Sequence, residues 1–410
     1  MNKLPSDWQI KTINEVCNIY TGNSINKKKK EENFIGLKEG LNYIGTKDIS
    51  FNNIIEYENG VKIPFKDLKD FKIAKSNTSL LCIEGGSAGR KIGFTNQDVC
   101  FGNKLCCFEA IEDEPKFIYF YLQSNDFLRE FNSNIQGLIG GVNKENLRKI
   151  KIPIPPLNEQ KRIASALSKI DAYLENTIKL IEEKERFKRG IAKKLLTCKE
   201  GENIPEARFK GFEDEWEIVK LGDICLINNK SLKENTDKDY KFKYIDLTTV
   251  KKGIINFSND YTTFENAPIS ARRIINKNDI IMATVRPYLL GHAFIDFEAK
   301  DYICSKGFAV LTANSNIEMK YIYQYLYSDD MAKQIKSRLV GSTYPTIRLS
   351  DIKELKIKIP KSIKEQEKIG GYLSLLDEEI DNLKKQKELI KEMKRGAMQK
   401  LLSGEVRLLE

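Results

Sequence analysis

Along two stretches of the chain, apolar residues return at alternating steps of four and three. They are Ile163, Leu167, Ile170 and Leu174 in the first, and Ile369, Leu373, Leu376, Ile380 and Leu383 in the second. That period predicts two long helices, each with an apolar seam suited to coiled-coil packing. Both lie in a larger repeat. The stretch Pro155 to Leu196 returns without a gap 206 positions on, ending at Leu402: Glu159 and Gln160 become Glu365 and Gln366, Asp171 becomes Asp377, and Lys188, Arg189 and Gly190 become Lys394, Arg395 and Gly396. Agreement at one fixed offset marks an internal duplication. Pro156 suits a helical first turn, and Ser362 three residues before Glu365 has the form of a capping box. Gly190 and Gly396 fall inside the helical pattern at a cost of about 1 kcal/mol each relative to alanine, for which close helix approach is the expected reason. At about 1.5 Å per residue, each helix is on the order of 58 Å long. The seam of Ile163, Leu167, Ile170 and Leu174 is expected to pack against Ile369, Leu373, Leu376 and Ile380 as a helix–helix spacer.

Outside the helices the pattern changes to short apolar runs broken by Gly, Asn and Asp, which predicts strands. The first half carries them at Leu41 to Ile44, Ser79 to Ile83 and Val99 to Phe108; the second at Lys243 to Leu247, Asp279 to Ala283 and Tyr302 to Leu311. Each half then has a helical, aromatic-rich patch, Phe117 to Phe131 and Tyr321 to Ile335. The ends of the two frames also agree: Trp8, Ile10 and Ile13 match Trp216, Ile218 and Leu221 at an offset of 208, and Ile150 to Pro155 matches Leu355 to Pro360 at 205. The interiors differ. Lys27 to Lys30, Gly85 to Lys91 and Gly137 to Gly141 have quite different counterparts in Lys230 to Tyr240, Thr284 to Gly291 and Gly341 to Thr346. The expected order is a module at 1–154, a helix at 155–198, a linker at 199–212, a module at 213–360 and a helix at 361–404. The fold class is α+β: two mixed modules joined by two long antiparallel helices in an intramolecular coiled coil, with pseudo-twofold repetition.

Composition narrows the function. A chain of 410 residues with 41% hydrophobic and 31% charged residues is long enough for two or three cores, and its formal charge of +10 favours a polyanionic partner. No signal peptide or membrane span is read: the apolar run Ile280 to Ile295 contains Arg286, Pro287 and His292. Eight cysteines without a CxxC pair and a single histidine argue against structural zinc and for reduced core cysteines in a cytoplasmic protein. Catalytic signatures fail one by one. Gly85 to Lys91, GGSAGRK, has the wrong glycine spacing for a phosphate loop, and Ile92 stands where a magnesium-binding Ser or Thr would be. Pro155, Pro156 and Leu157 follow Ile154 rather than the Asn or Asp of an amino-methyltransferase, and no Pro-Asp dipeptide starts a nuclease motif. No catalytic or metal-binding residue is therefore assigned. Basic residues beside glycines and aromatics fit DNA contact: Lys28, Lys29, Arg90, Lys91 and Lys104 in the first module, Arg272, Arg273, Arg286, Lys306 and Arg348 in the second. A coiled-coil adaptor that binds only proteins is the competing reading.

IPIPPLNEQKRI at Ile152 to Ile163, IPEARFKGF at Ile204 to Phe212, IKIPKSIKEQEKI at Ile357 to Ile369 and the two KxLL helix ends, taken in this order, resemble the specificity subunits of type I restriction-modification systems. The resemblance spans the whole chain. It implies two target-recognition domains, each reading half of a split target in double-stranded DNA. It also implies two modification (methyltransferase) subunits and restriction (motor and nuclease) subunits as partners, which would hold S-adenosylmethionine, ATP and Mg, with no cofactor on this chain. The second copy departs from the pattern at Pro360 and Lys361, which replace Pro155 and Pro156.

Overall fold

The alternating segment after Trp8 becomes a strand, Gln9–Thr12 (β1), because Ile13 and Val16 then turn inward in one short helical turn closed by Thr12 N–H donating to Glu15 Oε2 at 2.7 Å. A computed structural model describes residues 4–136, 140–199, 201–314 and 316–409. They form two units: Met1–Ile178 with Lys385–Glu410, and Lys179–Lys384. Each long helix, Leu157–Leu196 and Ile363–Leu402, has 40 residues, so its first half belongs to one unit and its second half to the other.

In the first unit, β2 (Cys17–Thr21), β6 (Ser79–Cys82), β7 (Ile92–Phe94) and β9 (Leu105–Ala110) make an antiparallel sheet in the order β2-β9-β6-β7. A second sheet runs β4-β3-β8-β5, from β3 (Leu41–Ile44), β4 (Lys62–Ile63), β5 (Ile73–Ala74) and β8 (Val99–Phe101), with β3 and β8 parallel. β1 pairs with β10 (Lys151–Ile154), placing Gln9 opposite Ile154. The run Val99 to Phe108 is thus two strands rather than one, because Gly102 to Lys104 turns the chain from one sheet to the other. The aromatic patch is likewise two helices, Pro115–Tyr121 and Asn125–Ser133. Ser124 breaks it by capping the second helix, its hydroxyl accepting from Phe127 N at 3.2 Å. Phe117, Phe120, Phe127 and Phe131 fill the core between these helices and the first sheet, where truncation of one ring to alanine would cost about 3–5 kcal/mol.

The second unit repeats this wiring. β12 (Cys225–Ile227), β18 (Ile280–Ala283), β19 (Ala293–Phe294) and β21 (Phe308–Ala313) order as β12-β21-β18-β19. The companion sheet is β16-β13-β20-β17, from β13 (Lys241–Ile245), β16 (Thr262–Thr263), β17 (Ala271–Ile274) and β20 (Tyr302–Ser305), again with one parallel pair, β13 and β20. β11 (Glu217–Lys220) pairs with β22 (Lys356–Ile359) as β1 does with β10. A small hairpin, β14 (Val250–Lys251) with β15 (Ile254–Ile255), stands where the first unit has only a single antiparallel bridge, Ile49 to Ile55. Ser328 splits the aromatic patch here as Ser124 does there, into Met319–Tyr325 and Asp329–Lys336.

The Glu-Gln pair at each helix start clamps module to helix. Gln160 donates to Pro155 O and Asp113 Oδ1 and accepts from Glu114 N; Gln366 donates to Pro360 O and accepts from Glu318 N. Glu159 and Glu365 are buried, each receiving the indole N–H of its module's tryptophan, Trp8 at 3.1 Å and Trp216 at 3.4 Å. The capping box expected at Ser362 does not form. Glu365 instead takes two hydrogen bonds from Arg208, at 2.8 Å each, a bidentate charged pair that outcompetes a neutral backbone donor. Arg208 belongs to the 199–212 connector, which therefore packs on the second unit rather than hanging free: Cys198 bridges to Pro205, and Ala207 and Phe209 lie against the core.

The spacer seam is paired differently from the expectation. Within each unit, half of one helix runs antiparallel to half of the other. Asp171 meets Lys394 at 2.6 Å in the first unit, and the equivalent Asp377 meets Lys188 at 2.5 Å in the second. Antiparallel order sets the start of one copy against the end of the other. Ile163, Leu167 and the half-buried Ile170 accordingly join the first module's core with Met398, Leu401 and Leu402, while Ile369, Leu373 and Leu376 join the second's with Leu195 and Leu196. Leu174 is half-buried in the first unit, and Ile380 is buried in the second. A Cβ added at Gly190 or Gly396 would meet nothing within 4 Å, so close helix approach does not explain them. That role falls to Gly370, where a Cβ would lie 2.6 Å from Tyr321 N.

Candidate nucleic-acid interface

Each module brings two of its divergent loops together through the backbone. In the first, the β6–β7 connection meets the loop after the aromatic helices: Gly85 N donates to Gly140 O at 2.8 Å and Val142 N to Ile83 O at 3.0 Å. Of the expected loop Gly137 to Gly141, positions 137–139 lie outside the described residues. In the second, Arg286 N donates to Pro345 O at 2.7 Å and Ile347 N to Thr284 O at 2.9 Å. These paired loops put side chains that differ between the modules at the same strand end of each frame.

Around the first pair stand three of the expected cations. Arg90 is exposed, donates to Gly86 O, and lies 5.5 Å from the ring centre of exposed Phe51, while Lys91 lies 4.9 Å from the same ring and donates to Thr46 O. Lys104 pairs with Glu84 at 3.5 Å, both largely exposed, a contact worth well under about 1 kcal/mol and easily exchanged for a phosphate. Lys28 and Lys29 sit apart on the helix Lys27–Asn33, Lys28 facing Glu32 at 3.9 Å; among the described residues no hydrogen bond or ion pair joins them to the other three.

Around the second pair the structure gathers Arg286, Lys306 and Arg348. Thr284 N and Oγ1 both donate to Gly307 O, next to exposed Lys306, and Thr284 O accepts from Ile347 N, next to exposed Arg348. Arg286 stacks 4.3 Å from the centre of the Tyr344 ring, and its Nη2 donates to Thr343 O at 3.2 Å. Arg272 stacks on Phe264 at 4.3 Å and donates to Ala271 O. Arg273 is spoken for inside the module: Nη1 donates to Ser231 Oγ at 3.0 Å and Nε is buried. The bond ties β17 to the segment at Ser231.

His292, unassigned from the sequence, holds the base of this second loop. Its Nδ1 accepts from Ala283 N at 3.2 Å, where the equivalent bond of the first module runs from Cys82 N to the backbone oxygen of Lys91. Its own carbonyl accepts from Gly253 N and from the Tyr327 hydroxyl. Complete burial holds the imidazole neutral, lowering its pKa to about 4. Phe51, Tyr288 and Tyr344 also escape the sequence reading; for Tyr288 and Tyr344, an aromatic within a glycine-bearing loop near a cation is the available signal. All eight cysteines are buried and unpaired, and burial pushes the Cys225 thiol up to about 12, away from thiolate chemistry. Among the described residues no helix is long and apolar enough to cross a membrane.

The type I restriction modification DNA specificity domain family matches this chain twice, over residues 5–183 and 213–392. The specificity subunit of the type I restriction enzyme MjaVIII from Methanocaldococcus jannaschii is 26% identical over 99% of this chain and 94% of its own. A putative type I specificity subunit of Mycoplasma genitalium is 28% identical over 81% of this chain and 82% of its own. The crystal structure of a type I restriction-modification S subunit from M. genitalium shares the fold, with a TM-score of 0.63 at 21% identity, covering 98% of this chain and 97% of that one. With a duplicated frame, paired variable loops and two matches that together cover most of its length, the chain belongs to the family of type I restriction-modification specificity subunits.

Proposed function

We propose that this chain reads a bipartite, asymmetric target in double-stranded DNA, each module contacting one half-site through its paired loops, with a non-specific gap between the halves. The observation that carries this reading is that one backbone frame occurs twice and presents different side chains at the same loop positions. Equal frames suit the pseudo-symmetry of duplex DNA, and unequal loops suit unequal half-sites. The contacts are assigned to Arg90, Lys91 and Lys104 in the first module and Arg286, Lys306 and Arg348 in the second, as phosphate or guanine ligands. The two long helices act as the spacer whose length sets the gap.

Catalysis belongs, in this reading, to partners: two methyltransferase subunits and restriction subunits dock on this chain and carry S-adenosylmethionine, ATP and magnesium. The deciding experiment maps methylated sites in host DNA with and without the gene, then after exchange of residues 8–154 for another module. One half of the target should change and the other persist. If both halves changed, the division of labour would be wrong; if the purified chain bound no duplex at any salt concentration, the protein-adaptor reading would replace it.

A further inference from the structure

The hairpin loops after β6 and β18 follow one backbone path with opposite side-chain chemistry. In the first module the left-handed positions are glycines, Gly85 (φ 83°) and Gly89 (φ 71°). At the equivalent positions, 201 residues on, stand Arg286 (φ 47°) and Leu290 (φ 57°). The hydrogen bonds coincide as well: Ala88 N to Gly85 O at 2.9 Å matches Leu289 N to Arg286 O at 2.9 Å, and Gly85 N to Gly140 O matches Arg286 N to Pro345 O. A left-handed residue bearing a Cβ is strained and persists only where its surroundings fix it. Here they do. Pro287 is buried, Lys252 N donates to Leu290 O at 3.1 Å, and Leu290 N donates to Pro287 O at 2.9 Å.

The strain holds two large side chains out of the protein. Tyr288 is 52% exposed and Leu289 59%, where the first module has only Ser87 and Ala88. Beside them, Tyr344 is 65% exposed under the Arg286 guanidinium. The segments 284–291 and 340–348 contain no Asp or Glu; Arg286 and Arg348 lie on them, Lys306 adjoins Gly307 bonded to Thr284, and Lys252 bonds Leu290 through its backbone. A rigid apolar tip ringed by cations suits a polyanion whose interior is stackable. A protein surface would be expected to meet some acid within the ring.

We infer that Tyr288 and Leu289 form a wedge that enters between adjacent base pairs of the half-site read by the second module, while the first module reads its half without one. This rests on the DNA-reading function proposed above. Apolar side chains pushed into a base step unstack it and kink the duplex, which favours flexible pyrimidine–purine steps.

The test selects a bound sequence from a pool of random duplexes with the full-length chain, then moves 2-aminopurine through each step of that duplex. Wild type should raise the fluorescence severalfold at one step, in one half-site only. The double variant Tyr288→Ala, Leu289→Ala should abolish the rise and weaken binding about tenfold, a typical loss for one stacking contact, while Tyr288→Phe keeps both. Both side chains are exposed, so unchanged thermal unfolding confirms an intact fold. Binding without a fluorescence rise at any step would overturn the wedge and leave the DNA reading standing. Failure to select any duplex would overturn the DNA reading itself. A double variant that keeps the rise but no longer retains a methyltransferase subunit would make the tip a protein contact instead.

Discussion

Arg407 closes on Glu159 across 248 positions of sequence, its Nε and Nη2 donating to the two carboxylate oxygens at 2.7 and 2.8 Å. Arg208 does the same to Glu365. Each arginine follows the end of one long helix and reaches the buried glutamate at the start of the other, within a single unit. The residues after Leu402 are therefore a working part of the first unit, held further by Asp7 on the same guanidinium at 2.7 Å. Removing residues 404–410 should leave Glu159 with only the Trp8 indole. Amide hydrogen exchange should then quicken around Leu157 to Leu167 while the second module stays protected. Uniform protection would mean that the tail is not part of the fold.

The equivalent break in the second unit has a definite size. Glu365 is 1% exposed, and Arg208→Ala would leave its charge buried beside a single indole N–H. Such a loss costs about 3 kcal/mol or more. Urea unfolding of Arg208→Ala should show it as a lower midpoint; replacing Glu365 and Arg208 together by Gln and Met should recover much of the difference, since no unpaired charge then remains.

The duplication, several of the strands and the divergent loops were legible in the sequence because they depend on local period and on a nearly constant offset, but Val99 to Phe108 and Tyr302 to Leu311 each ran together two strands of different sheets. What the sequence did not disclose was pairing in space. Ile163 and Ile369 occupy equivalent positions, yet antiparallel order sends them to different cores. Gly190 has the sequence setting of a contact glycine and faces open space, while Gly370, hidden in a Gly-Gly pair, is the one pressed against Tyr321. Glu365 matched a local capping rule, but a guanidinium from a connector 157 positions away took its carboxylate. Among the cations, exposure separates Lys306 and Arg348 from Arg273 and Arg286, which each bury Nε and bond a neighbour within the module, a distinction that composition and spacing do not contain.

Glycine substitutions turn that difference into opposite signs. Gly190→Ala and Gly396→Ala meet no atoms and remove helix-destabilising backbone freedom, so each should stabilise the isolated chain by up to about 1 kcal/mol. Gly370→Ala would force its Cβ onto backbone and should destabilise by about 1–3 kcal/mol. Thermal unfolding of the three single variants checks both signs; a stable Gly370→Ala protein would show that this helix can shift without penalty.

His292 gives the second module its own pH dependence. The folded pKa of about 4 lies below the ordinary imidazole value of 6.5, so the native state binds fewer protons than the unfolded chain through this interval. Its contribution is complete above pH 6.5 and is lost as pH falls towards 4, amounting to about 2 kcal/mol by pH 5 at about 1.36 kcal/mol per pH unit. Denaturant unfolding of wild type should weaken between pH 7.5 and pH 5 by that much more than unfolding of His292→Gln, which cannot gain the proton. Parallel slopes in the two proteins would place the imidazole in contact with water.

Salt separates the cations that meet DNA from those that build the module. Neutralising one phosphate contact lowers the slope of log affinity against log salt by about 1, whatever the base sequence. Lys306 and Arg348 are exposed beside the paired loops and hold no internal ion pair among the described residues, so Lys306→Gln and Arg348→Gln should each reduce the slope by about that amount and leave unfolding unchanged. Arg273 donates to Ser231 and buries its Nε, so Arg273→Gln should instead loosen β17 and lower the unfolding temperature with the slope intact. Lys28, facing Glu32 on an exposed helix, should leave unfolding unchanged, and its effect on the slope tells whether that helix reaches the duplex. Fluorescence anisotropy of a labelled duplex across a salt series, with a melting curve for each variant, measures both. A slope that moved with Arg273 and not with Lys306 would put the DNA-facing surface on a different side of the module.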